Sequence, residues 1–324
     1  MVANLFLHPD TFKYNTVDTL EQVAHKLSSL VKDMAIIVNE YIQENRFKVP
    51  QSLWLTKIYD SMTICDLAEK CLDNDYKGVF YTMLSDTSDE YDNISLEELE
   101  SRCKYQLNEQ EVNSILVFNT PELDLSEQKS VVNDYITFDD YQIVYNRKTW
   151  MYLRRQILGN HPGSPKKFID ECKKYFPNII FSCNCTTSLE DDEFKYLDII
   201  PRKIVYYLSC LNDCFADIIA SYDGKSVNAN TILENFSGNY GLDTPGSIER
   251  NSAKDNTLTF TFKYDDNLEQ NVLCEHHLKI SQADNNYRGT SINFYKFHPR
   301  VYFNYTYDNK EKCIIWVGSI GTHL

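Results

Sequence analysis

The chain has 324 residues, 43% of them hydrophobic and 24% charged, which are ordinary values for one large or two smaller globular domains. Its formal net charge of −15 excludes a protein that binds nucleic acid over its whole surface, because phosphate is repelled. No run approaches the ~18 apolar residues of a membrane span, and Met1 to Phe12 lacks the basic and apolar regions of a secretory signal. The expectation is a cytoplasmic protein with no membrane partner, its ten cysteines reduced.

The first predicted element is a helix. Val17, Leu20, Ala24, Leu27, Val31, Met34, Val38 and Tyr41 recur at alternating spacings of three and four, a heptad stripe. Thr16 or Asp18 is expected to cap it, with Glu21 completing a box, and Pro50 to stop it. Such a stripe either packs within its own bundle or makes a homodimer through Val17 to Tyr41. A second helix is predicted from Ser52 to Leu72. Residues 84–133 are acidic and read as a loop followed by a helix from Ser95. Val112 to Phe118 reads as a strand or a helix end, and Asp139 to Asn146 alternates as a strand does.

A helix is then expected from Thr149 to Leu158. The next runs from Pro165 to Tyr175, with Ser164 as its cap and Pro165 in its first turn. Asn178 to Cys183 is a strand candidate, and Arg202 to Tyr222 a helix apolar on most faces. Residues 147–174 carry eight Lys and Arg against two Asp and Glu, a net +6 in an acidic chain. The island is either the solvated face of two helices or a phosphate-contacting patch centred on Arg154, Arg155, Lys166 and Lys167. The pairs Cys183/Cys185 and Cys210/Cys214 lack the C-x-x-C spacing of a zinc site, so neither a metal nor a cofactor is expected.

Residues 223–256 are rich in Gly and Asn and mark a boundary. Beyond them the apolar period becomes two. Leu258, Phe260, Phe262 and Tyr264 alternate with polar residues, as do Val272, Cys274, His276, Leu278 and Ile280. Arg300 to Tyr307 and Cys313 to Val317 complete the pattern. The predicted class is α+β. A mainly helical region over 1–225 has a regulatory or docking role, 226–255 is a linker, and 256–324 is an antiparallel meander of four or five strands.

That meander concentrates chemistry-bearing side chains. In strand geometry His277 and Lys279 share a face, and so do Arg300, Tyr302 and Asn304. A base, a cation and an acid brought together are what metal-independent RNA cleavage requires: the base takes the 2′-hydroxyl proton, the cation holds the phosphorane, and the acid protonates the leaving 5′-oxygen. The bland reading stands beside it. His276 falls on the apolar face as a core histidine, Lys279 and Arg300 line a solvated edge, and Tyr302 is one of 23 tyrosines. Cys274 with the neighbouring histidines is a weaker transition-metal alternative. No phosphate-binding P-loop, Rossmann glycine fingerprint, serine-hydrolase elbow or zinc-protease motif is present.

His277-Leu278-Lys279, Arg300-Val301-Tyr302-Phe303, Ile315 to Gly318 and the ending Ile320-Gly321-Thr322-His323-Leu324 resemble RelE-like ribonuclease toxins, in the wider group of barnase, EndoU and the colicin tRNases. The resemblance covers under a quarter of the chain. It implies a small antiparallel sheet with helices on one side and RNA as the substrate. It gives Arg300 as phosphate ligand, Lys279 and His277 as base or electrostatic groups, and His323 or Tyr302 as the acid or its helper. The expected function is therefore a metal-independent endoribonuclease of toxin or antiviral-defence type, regulated by the acidic region or docking a protein partner through it. The alternative is a non-enzymatic binding or assembly subunit of a prokaryotic defence or toxin–antitoxin system.

Overall fold

The computed structural model describes residues 2–7, 12, 14, 17–41, 45–85, 87–88, 98, 111–116, 143–144, 147–185, 199–222, 226–242, 244–249, 252–264, 268–280, 299–308, 312–321 and 324. Two compact units divide the chain: Met1–Ser130 with Thr137–Ile157, and Val131–Ile136 with Leu158–Leu324. Helices and strands are both present, as the α+β class requires. The boundary departs from the expected linker at 226–255. Residues 158–225 group with the C-terminal sheet because their long helix supplies the aromatic side chains that cover it.

The first unit was expected to be mainly helical. It has its helices, and it also contains a parallel sheet. Strands β1 (Val2–Leu7), β2 (Asn45–Pro50), β5 (Thr87–Ser88), β6 (Glu111–Leu116) and β7 (Ile143–Val144) pair in the order β5-β2-β1-β6-β7, every pair parallel. Helix α1 (Leu20–Tyr41) connects β1 to β2. Its cap is Thr19, not Thr16 or Asp18: the Gln22 amide donates to Thr19 Oγ1 at 3.3 Å, and the Thr19 amide donates to Gln22 Oε1 at 2.8 Å. The heptad stripe is consumed within the chain. Leu27, Val31 and Met34 are fully buried, with Val23 and Ile37 beside them, while Val17 and Leu20 stay exposed.

The helix expected over Ser52 to Leu72 is interrupted. After a 3-10 turn (Gln51–Leu55), a small hairpin of β3 (Lys57–Tyr59) and β4 (Met62–Thr63) intervenes, with Asp60 and Ser61 at φ of 42° and 66°. Those left-handed residues end any helix. Thr63 then opens α2 (Ile64–Cys71) through a capping box with Asp66, and Asp73 caps α3 (Asn74–Met83). The helix expected from Ser95 lies almost entirely outside the described residues.

Helix α4 (Arg147–Asn160) leads into the second unit, followed by α5 (Pro165–Tyr175), β8 (Ile179–Phe181), α6 (Ile199–Ala220) and α7 (Ala229–Asn239). Ser164 caps α5 by accepting from the Lys167 amide. Strand β9 (Ser247–Ile248) and a single helical turn, α8 (Asp255–Leu258), precede β10 (Thr259–Tyr264), β11 (Leu268–Leu273), β12 (His276–Lys279), β13 (Arg300–Tyr307) and β14 (Cys313–Gly321). The expected meander divides in two. β10 and β11 form a separate antiparallel hairpin, and β12, β13 and β14 form the antiparallel centre of a sheet ordered β8-β14-β13-β12-β9. β8 is parallel to β14, a long-range pairing outside any meander.

The faces of this sheet have different covers. On one, Phe215 of α6 packs edge-on against Phe303 and Tyr305 at 5.4 and 5.3 Å and against Phe236 of α7 at 5.0 Å. On the other, the β10–β11 hairpin sets Phe262 against Trp316 at 5.1 Å, within a core of Leu258, Val272, Cys274 and Tyr302. The Asn304 amide donates to the Leu273 carbonyl at 2.7 Å and ties hairpin to sheet. The β13–β14 register shifts between Tyr302 and Phe303, where β14 inserts Gly318. A β-carbon on Gly318 would lie 2.2 Å from Phe260 Cδ2, so the hairpin seats against a bare backbone.

Gly318→Ala is therefore expected to lower unfolding stability by about 1–3 kcal/mol through overpacking. Gly238→Ala, in α7 with nothing within 4 Å, is expected to raise it by up to about 1 kcal/mol. Urea denaturation of the two variants checks both signs.

Candidate functional site

Strand register brings the sequence-predicted residues together. His277 pairs with Tyr302 and Lys279 with Arg300 across β12 and β13. Directly opposed residues of an antiparallel pair, and residues two apart along a strand, project to the same face. Ser247 of β9 pairs with His277 on its other side, and Ser319 of β14 pairs with Tyr302. One transverse row thus reads Ser247–His277–Tyr302–Ser319. A second row on that face reads Lys279–Arg300–Gly321.

The side chains touch along these rows. Ser247 Oγ is 2.9 Å from His277 Nε2, and the His277 and Tyr302 rings lie 5.4 Å apart. Arg300 Nη1 donates to Tyr302 Oη at 3.2 Å, and the Leu324 amide donates to the same oxygen at 3.1 Å. The Leu324 backbone oxygen accepts from Lys254 Nζ at 2.7 Å, and Lys254 also pairs with Glu249 at 3.6 Å. The end of β12 is held by its backbone, for the Lys279 carbonyl accepts from Tyr207 Oη and Thr244 Oγ1, each at 3.1 Å.

Burial differs within the group. Tyr302 is 0% and His277 4% exposed, while Lys279, Arg300 and Ser247 are half-buried. The Arg300 Nε–H is buried with no hydrogen-bond partner among the described residues, a donor left over after Tyr302 is served. Burial first, and then the charges of Arg300 and Lys279, push the His277 imidazole down to about 4; the Glu275 carbonyl and the Glu249 carboxylate oppose that shift without cancelling it. His277 is thus a neutral imidazole at neutral pH. Burial raises the Tyr302 phenol, which keeps its proton. His276 points to the helix-covered face, 5.5 Å from the rings of both Phe303 and Tyr305, and burial lowers its pKa as well. It is a core histidine.

The basic island does not form one exposed patch. Arg154 and Arg155 are 0% and 2% exposed, and the Arg155 guanidinium lies 5.6 Å from the centre of the Tyr152 ring. The run from Trp150 to Gly159 is buried on every side, so these two arginines offer no phosphate-contacting surface. Lys166 and Lys167 are exposed on the first turn of α5, Lys167 reaching Glu171 at 3.9 Å. His323 lies outside the described residues. Burial pushes the Cys185 thiol up to about 12 and raises that of Cys210.

Sequence reasoning missed Ser247. It sits in a two-residue strand inside the segment read as loop, with no alternation to reveal it. Gly246 beside it is buried, and a β-carbon there would meet Leu278 at 3.1 Å and Leu233 at 3.2 Å. The Gly246 amide donates to the buried Ser237 Oγ of α7 at 2.8 Å, which fixes β9 against β12.

No protein-family model matches this chain, and no curated protein or solved structure matches it either. The chemistry of the group has to be read from its own geometry.

The His277 shift has a stability consequence. The folded pKa lies below the unfolded value, so the native state binds fewer protons than the unfolded chain between about pH 6.5 and 4, and stability falls as pH falls through that window. His277→Asn is expected to flatten this part of the stability–pH curve. Denaturation midpoints of wild type and variant at pH 7, 5.5 and 4.5 check it.

Proposed function

We propose that the chain is a metal-independent endoribonuclease whose active face is the His277–Tyr302 and Lys279–Arg300 double row. The single observation behind this reading is the cross-strand register, which sets a neutral imidazole beside two cations on one sheet face. Neutral His277 is the base for the 2′-hydroxyl. Arg300 and Lys279, both half-buried, hold the scissile phosphate and stabilise the phosphorane. The 2′-oxygen attacks phosphorus, the P–O5′ bond breaks, and a 2′,3′-cyclic phosphate results.

Tyr302 is fully buried, and its oxygen accepts from Arg300 and the Leu324 amide. It therefore acts as a helper that orients the guanidinium. The acid for the leaving 5′-oxygen is then His323, the other residue to which the RelE-like resemblance gives that role. Lys166 and Lys167, exposed like Arg147, Lys173 and Lys174 of the same island, serve to attract RNA toward an acidic protein. The acidic N-terminal region restrains the activity or docks a partner, as in toxin and antiviral-defence proteins. A non-enzymatic binding or assembly subunit is the second reading, and the deep burial of His277 and Tyr302 favours it.

Purified protein incubated with mixed-sequence RNA in EDTA separates the two. Cleavage leaving cyclic-phosphate ends is expected, with Arg300→Ala slower by about 10²-fold or more. If wild type leaves RNA intact both alone and with cell extract as a source of activator, the enzymatic reading fails and the binding reading takes its place.

A further inference from the structure

The nitrogen that the reaction needs as a base is already occupied. His277 Nε2 faces Ser247 Oγ at 2.9 Å, and the imidazole is 4% exposed. His277 Nδ1 is buried and has no hydrogen-bond partner among the described residues, so the contact with Ser247 decides the tautomer: with the ring proton on Nδ1, Nε2 accepts from the Ser247 hydroxyl. A substrate hydroxyl cannot take the Nε2 lone pair without displacing that serine. Ser247 is half-buried, more open than the imidazole behind it, and stands at the outer end of the transverse row on the sheet's last strand. Its placement is enforced from behind by the close packing of Gly246 and by the Ser237 hydrogen bond. Among the described residues, the charged groups that act on the imidazole are Arg300, Lys279 and Glu249.

Building on the ribonuclease reading, we propose that the Ser247 hydroxyl is a proton relay between the substrate 2′-hydroxyl and His277 Nε2. As the 2′-oxygen bonds to phosphorus, its proton passes to Ser247 Oγ and the serine's own proton passes to Nε2. The serine ends the step unchanged and His277 ends it as imidazolium. The P–O5′ bond breaks, the 5′-oxygen taking the acid's proton, and proton exchange with solvent restores both groups. No oxidant, metal or covalent adduct is involved. The relay accounts for a buried base serving a substrate bound at the half-buried Arg300 and Lys279.

The test compares wild type, Ser247→Ala and Ser247→Thr on two substrates, RNA and uridine 3′-(4-nitrophenyl phosphate), whose leaving group needs no acid. Ser247→Ala is expected to lose about 10²-fold in kcat on both substrates, with KM little changed. Ser247→Thr, which keeps the hydroxyl, is expected to stay within about tenfold. Imidazole ¹⁵N shifts should report the Nδ1–H tautomer of His277 in wild type and its loss in Ser247→Ala, with the thermal midpoint nearly unchanged. An alanine variant as fast as wild type overturns the relay and leaves the ribonuclease reading standing. So does a loss seen on RNA but absent with the nitrophenyl ester, which would put Ser247 on the acid side. Wild type inactive on both substrates, alone and with cell extract, overturns the relay together with the ribonuclease reading.

Discussion

In an antiparallel pair, register decides what a sheet face presents. Side chains alternate with a period of two, so a slip of one residue would send His277 and Lys279 to the helix-covered face and bring His276 and Leu278 in their place. The residues that matter chemically are separated by more than twenty positions in the chain, and only the β12–β13 pairing opposes His277 to Tyr302 and Lys279 to Arg300. Several contacts hold that register. Val301 and Leu278 are fully buried on the helix-covered face, and the Ile280 amide donates to the Pro299 carbonyl at 3.0 Å just beyond the strand ends. Further along β13, Phe215 clamps Phe303 and Tyr305. The Gly318 bulge lets β14 follow Phe303 and Tyr302 in succession while the hairpin packs over it.

The electrostatics follow from that arrangement. Two cations beside a buried imidazole are a poor arrangement for an empty protein, because each raises the cost of charging the ring and none of the three is neutralised by the row itself. An anion held between Arg300 and Lys279 removes part of that cost. Binding of phosphate and protonation of His277 are then linked, each favouring the other. On the proposed ribonuclease reading, a ring that is a weak base in the free protein becomes a stronger one when a phosphate is seated.

Much of this face was legible in the sequence. The alternation through Val272 to Ile280 and Arg300 to Tyr307 marks the strands, and the i, i+2 rule puts His277 with Lys279 and Arg300 with Tyr302. The step from two co-facial pairs to one face depends on pairing register, which a period of two does not reveal. Ser247 was hidden because its strand is two residues long and owes its existence to partners elsewhere, Ser237 of α7 and the β12 backbone. The parallel sheet of the first unit was hidden for a similar reason. Thr87–Ser88 is too short for any periodic signal, and the alternation over Asp139 to Asn146 does not reveal that Ile143–Val144 pairs in parallel with a strand far away in the chain. Arg154 and Arg155 misled because charge alone suggests exposure, whereas helix α4 is buried over its central turns. The heptad stripe was real, and its partners were α2 and α3 of the same chain.

The linkage between anion and imidazole gives the most direct test of the account. The protonation midpoint of His277 is followed by NMR in the full chain, with and without a saturating 2′-deoxyribonucleotide 3′-phosphate, which lacks the nucleophilic hydroxyl. The midpoint is expected near 4 in the free protein and to rise toward the ordinary value of 6.5 when the anion is bound, with the rise abolished by Arg300→Gln. A midpoint that does not move while the nucleotide is bound would show that the anion sits elsewhere, and would contradict the double row as the phosphate-handling face.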